Sequence, residues 1–489
     1  MTIPNQQSQS PPRRWYHWYA PDDSPAERRL ILKLDALIVP TYDAHARADN
    51  AYVSGLADDL NFHDNQLVQF QTMYIVGAAV GQIPFAWIFP RVPMHWLVPG
   101  MDLGWGIFTL LQYRVSSYAE VMAYRFLVGL FESAYFPAVH YVYGSWYRAD
   151  ELGRRGGVFY VGQMLGILTA GLIQAGAAQH LNGVHGLAGW RWMFIITAVM
   201  TLPLAIAGFL VWPGTPDKPN RLVLSEDDIT LAKARLRNHS HQTKYSWGTL
   251  RRVFTDWKVY VLTFWDILFW NSAVSSQGVY LLWLKSLKRY STAELNQLST
   301  TSPALGIFYV LFICFGADLF LTRAGAITLA HVYNSIGLLI LVIWNVPESA
   351  KWFAFNTNYA CVAMSSVLYG WANDILKHDV DERATTLIVM NTIAQSTTAW
   401  TYLLTFPTSE APRFPKGYPF TLAMSLALIA FTWVVKYLHD RQERQFSEKQ
   451  RAALAPDSEE GISSAIEHAV ATETEEAADT KAGRFRREI

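Results

Sequence analysis

Apolar stretches recur along most of this chain, separated by short polar connections. A helix that crosses a bilayer needs about 20 predominantly apolar residues. Eleven stretches approach that length: 67–90, 96–113, 118–146, 155–180, 190–212, 257–284, 300–321, 325–346, 352–375, 384–406 and 417–438. A twelfth, residues 30–42 (LILKLDALIVPTY), is interrupted by Lys33 and Asp35 and ends in Asp43-Ala44-His45-Ala46-Arg47-Ala48-Asp49, too short to span. Six stretches, counting this defective one, precede a polar segment at 213–256, and six follow it. Within that segment lie Pro213, Pro216 and Pro219, and Ser225 to Asp228 reads as a capping box opening a surface helix through ITLAKARL. Residues 1–29 are polar. Residues 439–489 are charged, rich in Ala, Glu and Ser, and almost free of aromatics, which predicts a disordered tail. The pattern therefore predicts an all-α membrane protein, with halves at 30–212 and 257–438 joined by a linker and a truncated first helix.

Composition supports this. The chain is 51% hydrophobic and only 16% charged, against about 25% charged for soluble proteins. Its 19 tryptophans and 24 tyrosines suit membrane interfaces. The formal net charge of +0 gives no reason to expect a nucleic-acid partner. Cys314 and Cys361 both sit in apolar runs and read as small buried hydrophobes. No cleavable signal peptide is evident. Lysine and arginine fix orientation: the 213–256 segment holds Lys218, Arg221, Lys233, Arg235, Arg237, Lys244, Arg251 and Arg252, and the loop after 118–146 holds Arg148, Arg154 and Arg155, whereas 181–189 has none. The linker, the 147–154 loop and both termini are thus expected on the cytoplasmic side. Charge therefore calls for a first crossing that apolar length does not support.

Ionisable side chains inside a span are costly and mark function. Arg125 and Glu132 both lie in 118–146, within about 20° of one helix face and two turns apart. An arginine stays charged and binds carboxylate in a bidentate fork. A half-buried glutamate near it can exchange a proton as water access changes. The plain alternative is pairing with neighbouring helices to fix packing. Asp266 and Asn271 interrupt another apolar run (FWDILFWNSAV), and Asp266 is open between lining a cavity and sitting near the cytoplasmic end. Asn391 and Gln395, four residues apart, share a helix face, with Asn391 the better substrate contact. No metal-spaced His/Cys cluster, nucleotide loop or Ser/His/Asp arrangement is evident, so no enzyme, metal or cofactor is expected.

Six spans, a cytoplasmic linker and six more resemble the plan of the major facilitator superfamily, in which substrate binds near the midplane between two rocking halves. Within it, Tyr124-Arg125-Phe126-Leu127-Val128-Gly129-Leu130-Phe131-Glu132 through Phe136-Pro137, with Ser145-Trp146-Tyr147-Arg148, resembles the fourth-helix signature of the anion:cation symporter family. Gly189-Trp190-Arg191-Trp192 and Pro213-Gly214-Thr215-Pro216 also fit. The strongest likeness is to the fungal allantoate permease-like group, which includes pantothenate and vitamin H carriers. It rests on Asn50 to Gly55, Leu368 to Asp374, His378-Asp379, Glu382-Arg383-Ala384, Ala411-Pro412-Arg413 and Lys416 to Pro419. The resemblance implies proton-coupled uptake of a small organic carboxylate, such as pantothenate, allantoate or a similar vitamin or ureide, across the plasma membrane. It implies a substrate contact for Arg125 and proton coupling for Glu132. Gln163 matches a family position near the substrate. Tyr369, Asn373 and Asp374 fall where a gate or an inter-half hydrogen bond is expected. Asp318 and Arg323 look like a remnant of the superfamily's loop motif. The expected partners are organic anion, protons and lipid, and the chain is expected to act as a monomer.

One region departs from the family. Its members carry a full first span ending in an adjacent Asp-Arg pair, with the Asp in proton coupling. Here Asp43, Arg47 and Asp49 are present without such a pair, and about ten apolar residues are missing before them. Asp43 is the nearest candidate for that acid. Either a piece of sequence is missing, or the carrier is altered or impaired. A non-transporting membrane sensor that kept the fold is the competing function.

Overall fold

The computed structural model describes residues 19, 23–38, 55–63, 65–89, 91–133, 135–236, 247–273, 278–319, 321–376 and 380–453. Two compact units are distinguished, residues 1–432 and 433–489. The first half of the chain contains α1 (Pro25–Ile38), α2 (Gln66–Ile88), α3 (Met94–Leu111), α4 (Tyr118–Glu132), α5 (Tyr135–Trp146), α6 (Ala149–His180) and α7 (Gly189–Val211). A small antiparallel hairpin, β1 (Gly214–Thr215) and β2 (Lys218–Pro219), opens the linker, followed by α8 (Glu226–Leu236) and α9 (Trp247–Thr255). The second half holds α10 (Trp257–Asn271), α11 (Val279–Ser286), α12 (Thr292–Ser299), α13 (Thr301–Leu319), α14 (Arg323–Ile343), α15 (Glu348–Thr357), α16 (Ser365–Ile375), α17 (Val380–Thr405) and α18 (Gly417–Ala453).

Several expected crossings are interrupted. Pro137 lacks the N–H that would bond the Ser133 carbonyl, so 118–146 divides just after Glu132. Pro303 leaves the carbonyl of Ser299 without its donor, a local interruption at Thr300 between α12 and α13, while the expected 300–321 stretch itself continues unbroken through α13. The 257–284 stretch stops at Asn271, where the Tyr402 hydroxyl lies 2.7 and 2.8 Å from the carbonyl oxygens of Trp270 and Ala273. That contact answers the donors a helix end lacks. Among the described residues, five helical stretches are long and apolar enough to cross a membrane unaided: Val161–His180, Gly189–Val211, Thr292–Cys314, Arg323–Ile343 and Gly417–Glu448. Some other expected crossings are split, and α2 and α17 carry several Gln and Thr residues.

Two glycines set a close helix crossing. A Cβ on Gly77 of α2 would lie 2.2 Å from the Phe126 carbonyl oxygen, and one on Gly129 of α4 would lie 2.1 Å from that of Tyr74. Only hydrogen fits at either point, so the backbones touch, as small residues permit in membrane helix pairs. Gly129→Ala is expected to push the helices apart and cost about 1–3 kcal/mol. Thermal unfolding of the purified protein in detergent checks this, and an unchanged midpoint would show the crossing to be compliant.

The first helix is where the structure adds most. It begins at Pro25, within the segment assigned to the polar N-terminus. Ser24 and Glu27 form a capping box, with Glu27 N donating to Ser24 Oγ at 3.2 Å and Ser24 N donating to Glu27 Oε2 at 2.7 Å. Proline at the first helical position suits this start. Leu30, Ile31, Leu34 and Ile38 are buried in one cluster with Met94, Val98, Val142, Trp146 and the linker's Leu224, Ile229 and Ala232. The charges that interrupt the apolar run have partners. Lys33 reaches Asp228 at 2.6 Å, with the Ser225–Asp228 capping box formed as expected. Asp35 takes two bonds from Arg155, at 2.7 and 3.1 Å, and one from the Tyr147 hydroxyl at 2.8 Å. Arg148 and Arg235 gather on Asp23, Glu27 and Glu151. Burial alone would raise the Glu27 carboxyl, but hydrogen bonds from Ser24 and the charges of Arg235 and Arg148 hold it below its ordinary value. Burial likewise opposes Asp228, which the Lys33 and Ser225 hydrogen bonds pull down. The described part of α1, 14 residues, is about 21 Å long, and residues 39–54 lie outside the described residues.

At the other end, α18 continues through residues 439–453, which composition assigned to a disordered tail. Lys, Glu, Gln and Arg are good helix formers, and the Lys436–Asp440 pair at 2.6 Å adds an i,i+4 contact. Extending an existing helix avoids the cost of a new nucleus. Residues 454–489 lie outside the described residues.

Candidate functional site

The α2 helix links the polar groups of the two halves. About one turn apart on it, Phe70 and Tyr74 face Arg125: the guanidinium carbon sits 4.7 and 4.9 Å from their ring centroids. Arg125 is buried, so the two π-faces replace part of its hydration. Glu132, seven residues on, closes α4 and is half-buried. The Gly77–Gly129 crossing lies between these levels. Eight residues beyond Tyr74, or about 12 Å of rise, the buried Gln82 reaches the second half.

There a continuous hydrogen-bond chain begins. Gln82 Nε2 donates to Gln395 Oε1 at 3.2 Å, and Thr392 Oγ1 donates to Gln82 Oε1 at 2.5 Å. Gln395 Nε2 donates to Asn391 Oδ1 at 3.2 Å. The Tyr369 hydroxyl lies 2.9 Å from Asn391 Oδ1 and 3.0 Å from Asp266 Oδ2, and Trp270 Nε1 donates to it at 3.1 Å. This chain joins α2, α17, α16 and α10. Thr72 Oγ1, donating to the Ala399 carbonyl at 3.2 Å, adds a second link between halves, as does Ser409 Oγ with Asn65 Oδ1 at 3.3 Å. Met164 of α6 packs where a Cβ on Gly306 of α13 would lie 3.2 Å from its sulfur.

The structure thus brings four sequence candidates, Asp266, Tyr369, Asn391 and Gln395, into one network. Asn271 is separate: it receives the Thr401 hydroxyl at 2.6 Å and donates to Thr397 Oγ1 at 2.7 Å, bracing α10 on α17. Arg323 pairs with Asp374, so its partner is on α16, while Asp318 lies in α13. Asn373 donates to the Tyr369 carbonyl at 2.9 Å, a bond within its own helix. Gln163 is half-buried on α6. Asp43 lies outside the described residues. Gln82, Phe70, Tyr74 and Thr392 were not singled out from sequence. Gln82 carried a usable signal, since it is a polar group in an apolar span on the same terms as Gln163. The aromatic contacts carried none, because Phe and Tyr are ordinary lipid-facing and packing residues.

Comparison with known proteins gives these groups a setting. A sequence profile of the Major Facilitator Superfamily matches residues 50–402. A vitamin H transporter of Saccharomyces cerevisiae is 40% identical over 457 residues, covering 88% of this chain and 77% of its own. A pantothenate transporter of the same yeast is 30% identical, covering 87% and 86%, and one of Schizosaccharomyces pombe is 28% identical, covering 86% and 84%. The crystal structure of a D-xylose-proton symporter superposes with a TM-score of 0.62 at 14% identity, covering 83% of this chain and 96% of its own.

Proposed function

The chain belongs to the major facilitator superfamily, and from that premise we propose that it imports a small organic carboxylate together with protons, with vitamin H as the first substrate to test. It is an integral membrane transporter and not an enzyme. The observation that carries the substrate class is Arg125, a permanent cation buried on α4 against Phe70 and Tyr74. Such a group is matched to a carboxylate by charge and by its fork of donors. In this reading the substrate anion docks on Arg125. Gln163 and the Asn391–Gln395 face contact its polar body. Glu132 exchanges the coupled proton. The Arg323–Asp374 pair and the Tyr369–Asn373 segment serve as gating or structural contacts, with Asn271 and Asp318. The first-span acid of the family corresponds best to Asp43. The protein acts as a monomer in the plasma membrane.

Uptake of labelled vitamin H by cells expressing the protein, competed by a panel of carboxylates, is the direct test. Uptake is expected to rise as external pH falls and to collapse with a protonophore. If no carboxylate competes, or if acid pH leaves uptake unchanged, the reading is wrong. The short, interrupted apolar run at 30–42 favours a second reading, a sensor that binds without moving its ligand. Specific binding without flux in proteoliposomes would select it.

A further inference from the structure

We propose that Asp266 is a proton-carrying acid of this transporter, and that its proton state is read out at the contact between halves through Tyr369, Asn391, Gln395 and Gln82. The proposal rests on the proton-coupled reading above and adds a second-half acid to it.

Asp266 is fully buried. Its Oδ1 has no hydrogen-bond partner among the described residues, and its Oδ2 meets only the Tyr369 hydroxyl. A buried carboxylate with no cation and one hydrogen bond is expensive, and such groups hold a proton instead. The charged groups on the helices around it are engaged elsewhere. Lys258, eight residues back on α10 and about 12 Å away along the axis, is held by Glu382 and Asp256. On α16, Asp374 pairs with Arg323. Arg383 on α17 lies two turns before Asn391, and Arg251 and Arg252 lie on α9, before α10 begins. On the part of α18 within the first unit, Tyr418 is the titratable group, near the opposite end of that helix segment from Thr432, which bonds Trp265 beside Asp266.

Hydrogen counting points the same way. The Tyr369 hydroxyl has one hydrogen, yet two acceptor oxygens, Asp266 Oδ2 and Asn391 Oδ1, lie within 3.0 Å of it. With a proton on Asp266 Oδ2, both short contacts of the Tyr369 oxygen become hydrogen bonds. Asp266 donates to the Tyr369 oxygen, Trp270 donates to it as well, and Tyr369 donates on to Asn391. Asn391 Oδ1 then accepts from both Tyr369 and Gln395, and Gln395 in turn accepts from Gln82 across the halves. When the proton leaves, the hydroxyl turns to the carboxylate and Asn391 loses a donor. Asn391, no longer fixed by Tyr369, is free to shift with Gln395, and the Gln395–Gln82 contact shifts with them. One proton is gained on one side of the membrane and released to the other, with no other bond made or broken. The Gln395–Gln82 contact is the two-state element that the proton biases.

The test uses purified full-length protein in proteoliposomes, with labelled vitamin H as probe. Binding, and accumulation driven by an imposed pH gradient, are measured side by side. Asp266→Asn, which mimics the protonated acid, is expected to bind the probe but to lose gradient-driven accumulation, reaching only equilibration, with a flattened pH profile. Tyr369→Phe removes the hydroxyl while leaving the acid, and is expected to shift the pH midpoint of uptake; it also keeps the idea testable if Asp266→Asn fails to fold. Accumulation by Asp266→Asn equal to wild type, or an unchanged profile for Tyr369→Phe, overturns the relay alone. Wild-type protein that accumulates no probe or other carboxylate under the gradient overturns the uptake reading and the relay with it.

Discussion

Arg125→Ala is expected to bring carboxylate uptake to background. Losing one partner of a buried charged hydrogen-bonded pair costs about 2–5 kcal/mol, roughly 30-fold to several thousand-fold in affinity. The substitution also removes two cation–π contacts, with Phe70 and Tyr74, worth about 0.5–2 kcal/mol each. The folded protein should therefore survive with a modestly lower melting temperature while binding disappears. Arg125→Lys separates charge from geometry. It keeps the cation but not the planar fork, so it should recover part of the affinity and not all of it. Equilibrium binding of labelled vitamin H, with thermal unfolding of the same samples, makes the comparison. Arg125→Ala that binds as wild type would remove Arg125 from the site, and a collapse of stability with no folded fraction would make it a structural residue.

Asp35→Ala is expected to be the most destabilising single change at the first helix. Arg155 has a side-chain exposure of 1%, and Asp35 supplies two of its bonds. With Asp35 gone, Arg155 loses that carboxylate and keeps the Glu151 carbonyl at 3.0 Å and the face of Tyr147 at 4.0 Å. Removing one partner of a buried pair costs about 3–5 kcal/mol. The double change Asp35→Leu with Arg155→Met should restore much of that loss, since replacing the whole pair by apolar groups is often near neutral. Thermal unfolding in detergent measures both. A melting temperature for Asp35→Ala equal to wild type would mean that α1 does not depend on this pair.

The two predictions draw on different sources. Arg125 was legible in the sequence because a cation in an apolar span needs a reason. Asp35 and Lys33 were legible only as interruptions of a short apolar run. Their partners, Arg155 and Asp228, lie about 120 and 195 positions away, and no local pattern links them. The helix start at Ser24-Pro25-Ala26-Glu27 was readable, because S-x-x-E with proline at the first helical position is a local signal. The break in 118–146 and the interruption at Thr300 were readable in the same way, from Pro137 and Pro303. The break at Asn271 was not, since its free carbonyls are answered by Tyr402, 129 and 132 positions away.

By itself the sequence determined the class of molecule and its family. Hydrophobic length, lysine and arginine placement and a few conserved-type motifs are local, additive properties, and a bilayer selects on them directly. It also flagged Asp266, Tyr369, Asn391 and Gln395 as polar groups in an apolar setting. Which of them meet was decided only by tertiary structure, because hydrogen bonding is directional and acts over about 3 Å between helices far apart in the chain. The glycine crossing that seats α2 on α4 and the single hydroxyl shared by two acceptors belong to that level. So does the burial of Asp266 against the Tyr369 hydroxyl.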